Sequence, residues 1–291
     1  MPKLHLGGFR HIENKKRVHI IYGFLILSVV LVMIAQFFNR DYENVFLCFL
    51  TLVLFAMPSL IERKLSIDLP DTLEIIILLF IYAAEILGEI RAYYIQYPGW
   101  DTMLHTLNGF LCAAIGFSLV DLLNRHEKLT LDLSPFFIAI TAFCFSMTVG
   151  VLWEFFEYVM DTVFLYDMQK DTILTAFTSV TLDPTNTNVA IPLKDIQDVI
   201  LVYGNGTQQA LGLGGYLDLG LHDTMKDLFV NFIGATVFSA LGYFYIKGKG
   251  KGWFAKKFIP TLPQQPPNSA PLPQNSGQAP SSDIKETLSD T

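Results

Sequence analysis

Six long apolar runs, each closed by charged or turn-forming residues, organise the chain near 19–38, 43–61, 72–90, 101–123, 135–160 and 223–246. A helix needs about 20 mostly apolar residues to cross about 30 Å of hydrocarbon, so every run is long enough to span a bilayer. The pattern predicts an all-α protein, a polytopic six-helix transmembrane bundle in residues 19–246. The first run follows a basic leader, residues 1–18, and has no small-residue cleavage site behind it, so it reads as an uncleaved span.

Lys and Arg orient the bundle, because short basic connections stay cytoplasmic. The leader holds Lys3, Arg10, Lys15, Lys16 and Arg17, and the segment after the last run holds Lys247, Lys249, Lys251, Lys256 and Lys257. Arg63 and Lys64 mark the second connection as cytoplasmic, and Arg125 and Lys128 the fourth. The first and third connections have only Arg40 and Arg91, and the long fifth, about 166–221, only Lys170 and Lys194. These three belong outside, which makes the chain a multi-pass cell-membrane protein with both termini in the cytoplasm.

Two stretches are not spans. Residues 247–291 pass from a basic segment into a Pro-, Gln- and Ser-rich tail, expected to be disordered because it cannot bury enough apolar surface to offset ordering. The outer loop is expected to fold. Two β-prone runs flank Asp183-Pro184 and suggest a hairpin, and Ile196, Val199, Ile200 and Tyr203 recur at helical spacing ahead of Gly204.

Composition agrees with a membrane protein: 52% of residues are hydrophobic and 16% charged, with a mean hydropathy of +0.41. A soluble domain runs near about one quarter charged, so a free cytosolic enzyme is excluded. The net charge of −7 leaves no cationic excess to neutralise phosphates, and nucleic acid is not an expected partner. Cys48, Cys112 and Cys144 stand apart in apolar runs without a CxxC pair, and read as buried thiols.

Charges where lipid should be are the informative exception. The third run ends outside with Glu85 and Glu89, and the fourth re-enters with Asp101, His105 and Asn108. The fifth ends outside with Glu154, Glu157 and Asp161, and the sixth re-enters with His222, Asp223, Asp227 and Asn231. All lie at one depth. Residues three or four apart share a helix face, and below Asp101 and His105 that face continues through Gly109, Ala113 and Gly116. Ser146 and Gly150 lie under Glu154, and Ala235, Ser239 and Gly242 under Asp227, small residues that let helices approach closely. The acids therefore point into the bundle, and intramembrane carboxylates persist when paired, wetted or bound to a cation.

Plainer readings exist for some of these residues. Asp101 and Asp223 suit the N-terminal ends of helices, and Arg91 suits Glu85 and Glu89 as a salt-bridge partner. His105 and Asp227 lie a turn too deep to be caps, and Glu154 and Glu157 sit in a helix C-terminal half, where the dipole disfavours anions. Trp100 and Trp153 read as aromatic anchors at the outer interface, and Trp253 as one at the inner.

Trp100-Asp101 with His105 and Gly109, then the WE-x-x-E of Trp153 to Glu157, then Asp223-Thr224 with Asp227 and Gly234-Ala235, resemble the YjdF-like family of bacterial membrane-spanning proteins. The last motif is distantly similar to the VanZ-like proteins. The resemblance covers roughly 70–246 in motif order and implies a membrane-spanning protein without an activity to carry over; the VanZ-like similarity of the last motif implies cell-envelope physiology.

The candidate metal set is Asp101, His105, Glu154, Glu157, Asp223 and Asp227, supported by Glu85, Glu89, Asn108, Asp161, His222 and Asn231. It is oxygen-rich and suits a divalent cation. One reading is a receptor, scaffold or envelope-maintenance protein whose pocket holds a cation or the headgroup of a lipid or envelope precursor. The alternative is a metal-dependent membrane enzyme acting on a lipid-linked envelope substrate, with Glu157 or His105 as base. No GxSxG, HExxH or P-loop pattern occurs. A transporter ranks third, because the inner halves of the runs are mostly apolar apart from Glu74 and Asp121.

Overall fold

The computed structural model describes residues 7–65, 68–124, 132–248 and 257–259, with only the backbone described for 7–16. Lys3, Arg125, Lys128, Lys249, Lys251, Trp253, Lys256 and the Pro-rich tail lie outside the described residues. The helices are α1 Gly7–Phe38, α2 Tyr42–Phe55, α3 Met57–Leu65, α4 Asp71–Tyr82, α5 Tyr93–Gln96, α6 Trp100–Asn124, α7 Pro135–Phe164 and α8 Leu221–Lys247. A π-helix, Ala83–Ile90, continues α4.

Among the described residues, five helical stretches are long and apolar enough to cross a membrane: Arg17–Phe38, Tyr42–Lys64, Trp100–Asn124, Pro135–Phe164 and Leu221–Lys247. The second joins α2 to α3 at Ala56, beside Pro58, whose missing N–H suits the first turn of a helix. The third apolar run departs from the expected uniform helix. It is divided between α4 and the π-helix, where the Arg91 N–H reaches back five residues to the Ile86 carbonyl at 3.0 Å. Such a widened turn rotates the residues beyond it around the axis, and π-turns recur at functional positions.

Lipid explains the outward faces. On α1, Ile20, Phe24, Leu27 and Leu31 are exposed while Leu25 and Val29 are buried, so one stripe packs and the other meets hydrocarbon. Leu25, Val29, Cys48, Phe55, Leu78 and Ile86 form a first core that ties α1, α2, α4 and the π-helix together.

A second core lies between α4, α6, α7 and α8, around Leu73, Ala113, Phe117, Ile138, Ala142 and Phe238. Without water to drive helices together in a membrane, close backbone packing has to hold them. A side chain at Gly109 would overlap the Asn231 carbonyl, and one at Gly234 the Thr106 carbonyl. Ser146 Oγ crosses from α7 to donate to the Gly109 carbonyl at 2.7 Å. Phe258 and Ile259 are buried in the same core, with the Phe258 ring 5.2 Å from Phe110. The chain thus returns into the bundle after α8.

Between α7 and α8 the all-α expectation fails. Strands β1 Thr172–Leu174, β2 Phe177–Ser179, β3 Ile191–Leu193, β4 Ile200–Val202, β5 Gln208–Ala210 and β6 Tyr216–Asp218 form three antiparallel pairs, β1 with β6, β2 with β3 and β4 with β5. β2 and β3 flank Asp183, whose carboxylate accepts the N–H groups of Thr185 at 2.9 Å, Thr187 at 2.9 Å and Val189 at 3.1 Å. The Thr185 hydroxyl, followed by these backbone donors, holds the carboxyl well below its ordinary range. The helix expected across Ile196 to Tyr203 is absent: Ile200–Val202 is strand β4 and the residues before it are irregular. Asn205-Gly206 turns the chain, with Gly206 at φ +82°, and Tyr203 N–H bonds the Thr207 carbonyl at 2.9 Å. Asn-Gly between β-prone runs is a strong hairpin signal, and it outweighs the helical spacing before it.

Gly234→Ile is expected to destabilise the bundle by about 1–3 kcal/mol, as overpacking of a tight contact does, because its side chain would meet the α6 backbone. Gly23→Ile, with no atom within 4 Å of the added Cβ, should change little. Thermal unfolding of the purified variants in detergent checks both.

Candidate functional site

The parallel course of α6 and α8, with α7 beside both, brings their charged ends together at the end of the bundle that carries the β-rich segment. Asp101 and His105 share one face of α6, a turn apart, with Asp101 Oδ1 3.3 Å from His105 Nε2. The other ring nitrogen, Nδ1, lies 3.6 Å from Glu154 Oε1 on α7. One imidazole therefore joins carboxylates of two helices. Asp227 completes the set from α8, and Asp101, His105 and Asp227 each offer a ligand atom within 4.8 Å of the others.

Burial makes this set unusual. Asp227 is 1% exposed and Glu154 4% exposed. Asp227 Oδ1 and Glu154 Oε2 are both shielded from solvent without a hydrogen-bond donor. A buried carboxylate oxygen without a donor is costly to the fold, which sets these two groups apart from the satisfied acids around them.

Lys226 on α8 is the cation that spacing arguments passed over. Its Nζ lies 3.2 Å from Asp101 Oδ2, 3.1 Å from Asp223 Oδ1 and 3.6 Å from Asp227 Oδ1. The signal was present in the HDTMKDLF stretch, where a lone Lys sits between Asp223 and Asp227.

The other candidates take different roles. Asp223 Oδ2 accepts the Lys170 N–H at 2.8 Å, so that acid divides itself between Lys226 and the segment leaving α7. Asp161 spends both oxygens on the same segment, accepting Met168 N–H at 2.6 Å and Gln169 N–H at 2.8 Å. Gln169 Nε2 then reaches Thr224 Oγ1 at 2.5 Å. Residues 167–170 thus form a strap that joins the ends of α7 and α8 beside the acids. Gly220, at φ +92°, leaves room for Gln169 where a side chain would collide with it.

Glu157 Oε1 accepts the Trp153 indole N–H at 2.8 Å, which gives that tryptophan a polar task beyond anchoring. Asn108 and Asn231 lie deeper, with Asn108 Nδ2 donating to Asn231 Oδ1 at 3.4 Å, and Asn231 packs on Gly150. His222 is exposed, and its backbone N–H bonds Asp218 Oδ2 at 2.8 Å. Glu85 and Glu89 sit on the π-helix, and among the described residues no ion pair joins either to Arg91. Their charges act on Tyr94. Burial first, then the charges of Glu89, Asp101, Glu85 and Glu157, push its phenol well above the ordinary range. Tyr94 therefore feels acids from three helices.

A separate groove of about 460 Å³ runs between α7 and α8 toward the opposite end of the bundle. Phe136, Ile140, Phe143, Phe232 and Phe244 line it, and none of the acids does.

Long apolar helices with exposed hydrocarbon faces define a helical multi-pass membrane protein. The chain belongs to the family described as "Predicted membrane protein (DUF2238)", whose model matches residues 20–248 and therefore runs from within α1 through the β-rich segment to the end of α8. The YjdF-like resemblance fits this family. Neither a curated protein nor a solved structure matches the chain.

Asp161→Ala removes both acceptors of the strap's N–H groups, so tryptic cleavage after Lys170 is expected to accelerate several-fold while cleavage after Lys194 is unchanged. Timed limited proteolysis of the purified protein checks it.

Proposed function

We propose that this protein is a six-span cell-membrane receptor or scaffold whose outer-leaflet pocket binds a divalent cation through Asp101, His105 and Asp227. The observation that carries the reading is the donor set itself, three ligand atoms within 4.8 Å of one another beside the undonated Glu154 oxygen. Three groups from two helices hold an ion only while α6 and α8 stay in register, so binding reports on the packing of the bundle. The run Asp71–Ile90 counts as the sixth span, with the α-helical and π-helical parts in series.

The Lys and Arg distribution puts the pocket and the β-rich segment outside and both termini in the cytoplasm. A reporter fused near Asn186 is expected to read as external, and one near Thr291 as cytoplasmic. A cytoplasmic signal at Asn186 would reverse the orientation and move the pocket to the other face.

A second reading has one specific observation behind it. Three protein donors leave coordination positions open, the arrangement of catalytic metal sites. On that reading the ion polarises an oxygen of a lipid-linked envelope substrate. The VanZ-like similarity of the Asp223 to Ala235 motif agrees with an envelope role and supplies no reaction.

Elemental analysis after dialysis against Mn²⁺ or Zn²⁺ tests the pocket. Wild type is expected to retain about one equivalent, while Asp227→Asn and His105→Ala lose about tenfold or more in affinity, the scale seen even for residues that merely support a metal ligand. Equal metal content in all three proteins would remove the cation reading.

A further inference from the structure

We infer that Lys226 is the resident counter-cation of this pocket, an ammonium that occupies the carboxylates while the metal is away and is displaced when a first-row divalent ion enters. The inference rests on the cation reading above and adds the mechanism of its regulation.

Geometry sets the competition. The two carboxylates that would ligate the ion, Asp101 and Asp227, are two of the three that Lys226 contacts, at 3.2 and 3.6 Å. An ion bound to both would stand within a few ångströms of the ammonium and repel it. Lys226 is free to leave, because its side chain is 46% exposed, whereas Asp227 is 1% exposed and fixed. The long stem of a lysine carries its charge between partners and water with little change in the backbone.

The ammonium is also an incomplete filler. It neutralises charge, yet Asp227 Oδ1 still receives no hydrogen bond, and on the far side of His105 neither does Glu154 Oε2. A metal ion would satisfy Asp227 directly. It would also orient His105: with Nε2 toward the ion, Nδ1 faces Glu154 at 3.6 Å. A carboxylate behind a ligating histidine is the usual support of such a ligand, fixing its tautomer and raising its basicity. One imidazole with two carboxylates favours Mn²⁺, Fe²⁺ or Zn²⁺ over Mg²⁺ and Ca²⁺, which prefer oxygen alone.

Displacement reaches the strap. When Lys226 leaves, Asp223 loses the partner of Oδ1, 3.1 Å away, and keeps the Lys170 N–H on Oδ2. An anion freed of its ammonium is a stronger acceptor for that N–H, so an occupied pocket tightens the strap at residue 170.

The test measures Mn²⁺ and Zn²⁺ affinity of the full-length protein in detergent, with Mg²⁺ as control, for wild type, Lys226→Met, Lys226→Gln and Lys226→Arg. Removing a competing cation is expected to tighten metal binding about tenfold or more in the Met and Gln variants, within the usual range of coupling between two ligands. Lys226→Arg should bind no better than wild type. The metal-free Met and Gln variants should melt below wild type, and added metal should raise their Tm by more. The Gln variant keeps a polar head and carries the test if Lys226→Met does not fold. Metal binding by wild type with no gain in either neutral variant would overturn the displacement and leave the cation pocket standing. Failure of all four proteins to bind metal would remove the pocket and the displacement together.

Discussion

The contact on which the molecule depends is the approach of α6 to α8 at backbone distance, where Gly109 meets Asn231 and Gly234 meets Thr106. Lipid is as apolar as leucine, so burial of apolar surface gives these helices no reason to associate, and close packing with interhelical hydrogen bonds must do so. Glycine at both crossings lets carbonyls touch where a methyl group would not fit. The register set there places Lys226 and Asp227 opposite Asp101 and His105. Ser146 adds the third helix through the Gly109 carbonyl, which sets Glu154 at the height of the His105 ring. Packing deep in the bundle thus decides which charges meet at its end.

Electrostatics then constrains that end. Carboxylates crowded in a poorly solvated space repel one another and lose hydration, so each has to find a donor, a cation or a proton. The protein meets the demand locally. Backbone N–H groups of the strap satisfy Asp161 and half of Asp223, the Trp153 indole satisfies one oxygen of Glu157, and a single lysine serves Asp101, Asp223 and Asp227. The strap is therefore held by the same acids that surround the pocket, and the β-rich segment beyond it is coupled to the membrane helices through hydrogen bonds at residues 168–170.

Much of this was legible from residue order. Apolar run length is a direct consequence of bilayer thickness, so five of the six expected spans follow from it, and charged residues at helical spacing mark one end of four runs. The π-helix was not legible, because a change from α to π hydrogen bonding leaves the apolar pattern of residues 83–90 intact. The β-rich segment misled in one place. Ile196, Val199, Ile200 and Tyr203 have helical spacing, but the Asn205-Gly206 turn and the pairing of Ile200–Val202 with Gln208–Ala210 are stronger local forces. Lys226 was missed for a different reason. A lysine within an acidic stretch looks like surface charge until its partners on another helix are known.

The sequence by itself determined the membrane class, the approximate extent of five spans and the end at which titratable groups collect, because hydrophobicity and helical period act along the chain. Only the tertiary structure decided which of those groups share a site. Asp101 and His105 stand 121 to 126 positions from Asp227 and Lys226 along the chain, by subtraction of residue numbers. No local rule relates them. Their meeting depends on the rotation of α6 against α8, and that rotation is set by glycines near the middle of the two helices, where no charge is found.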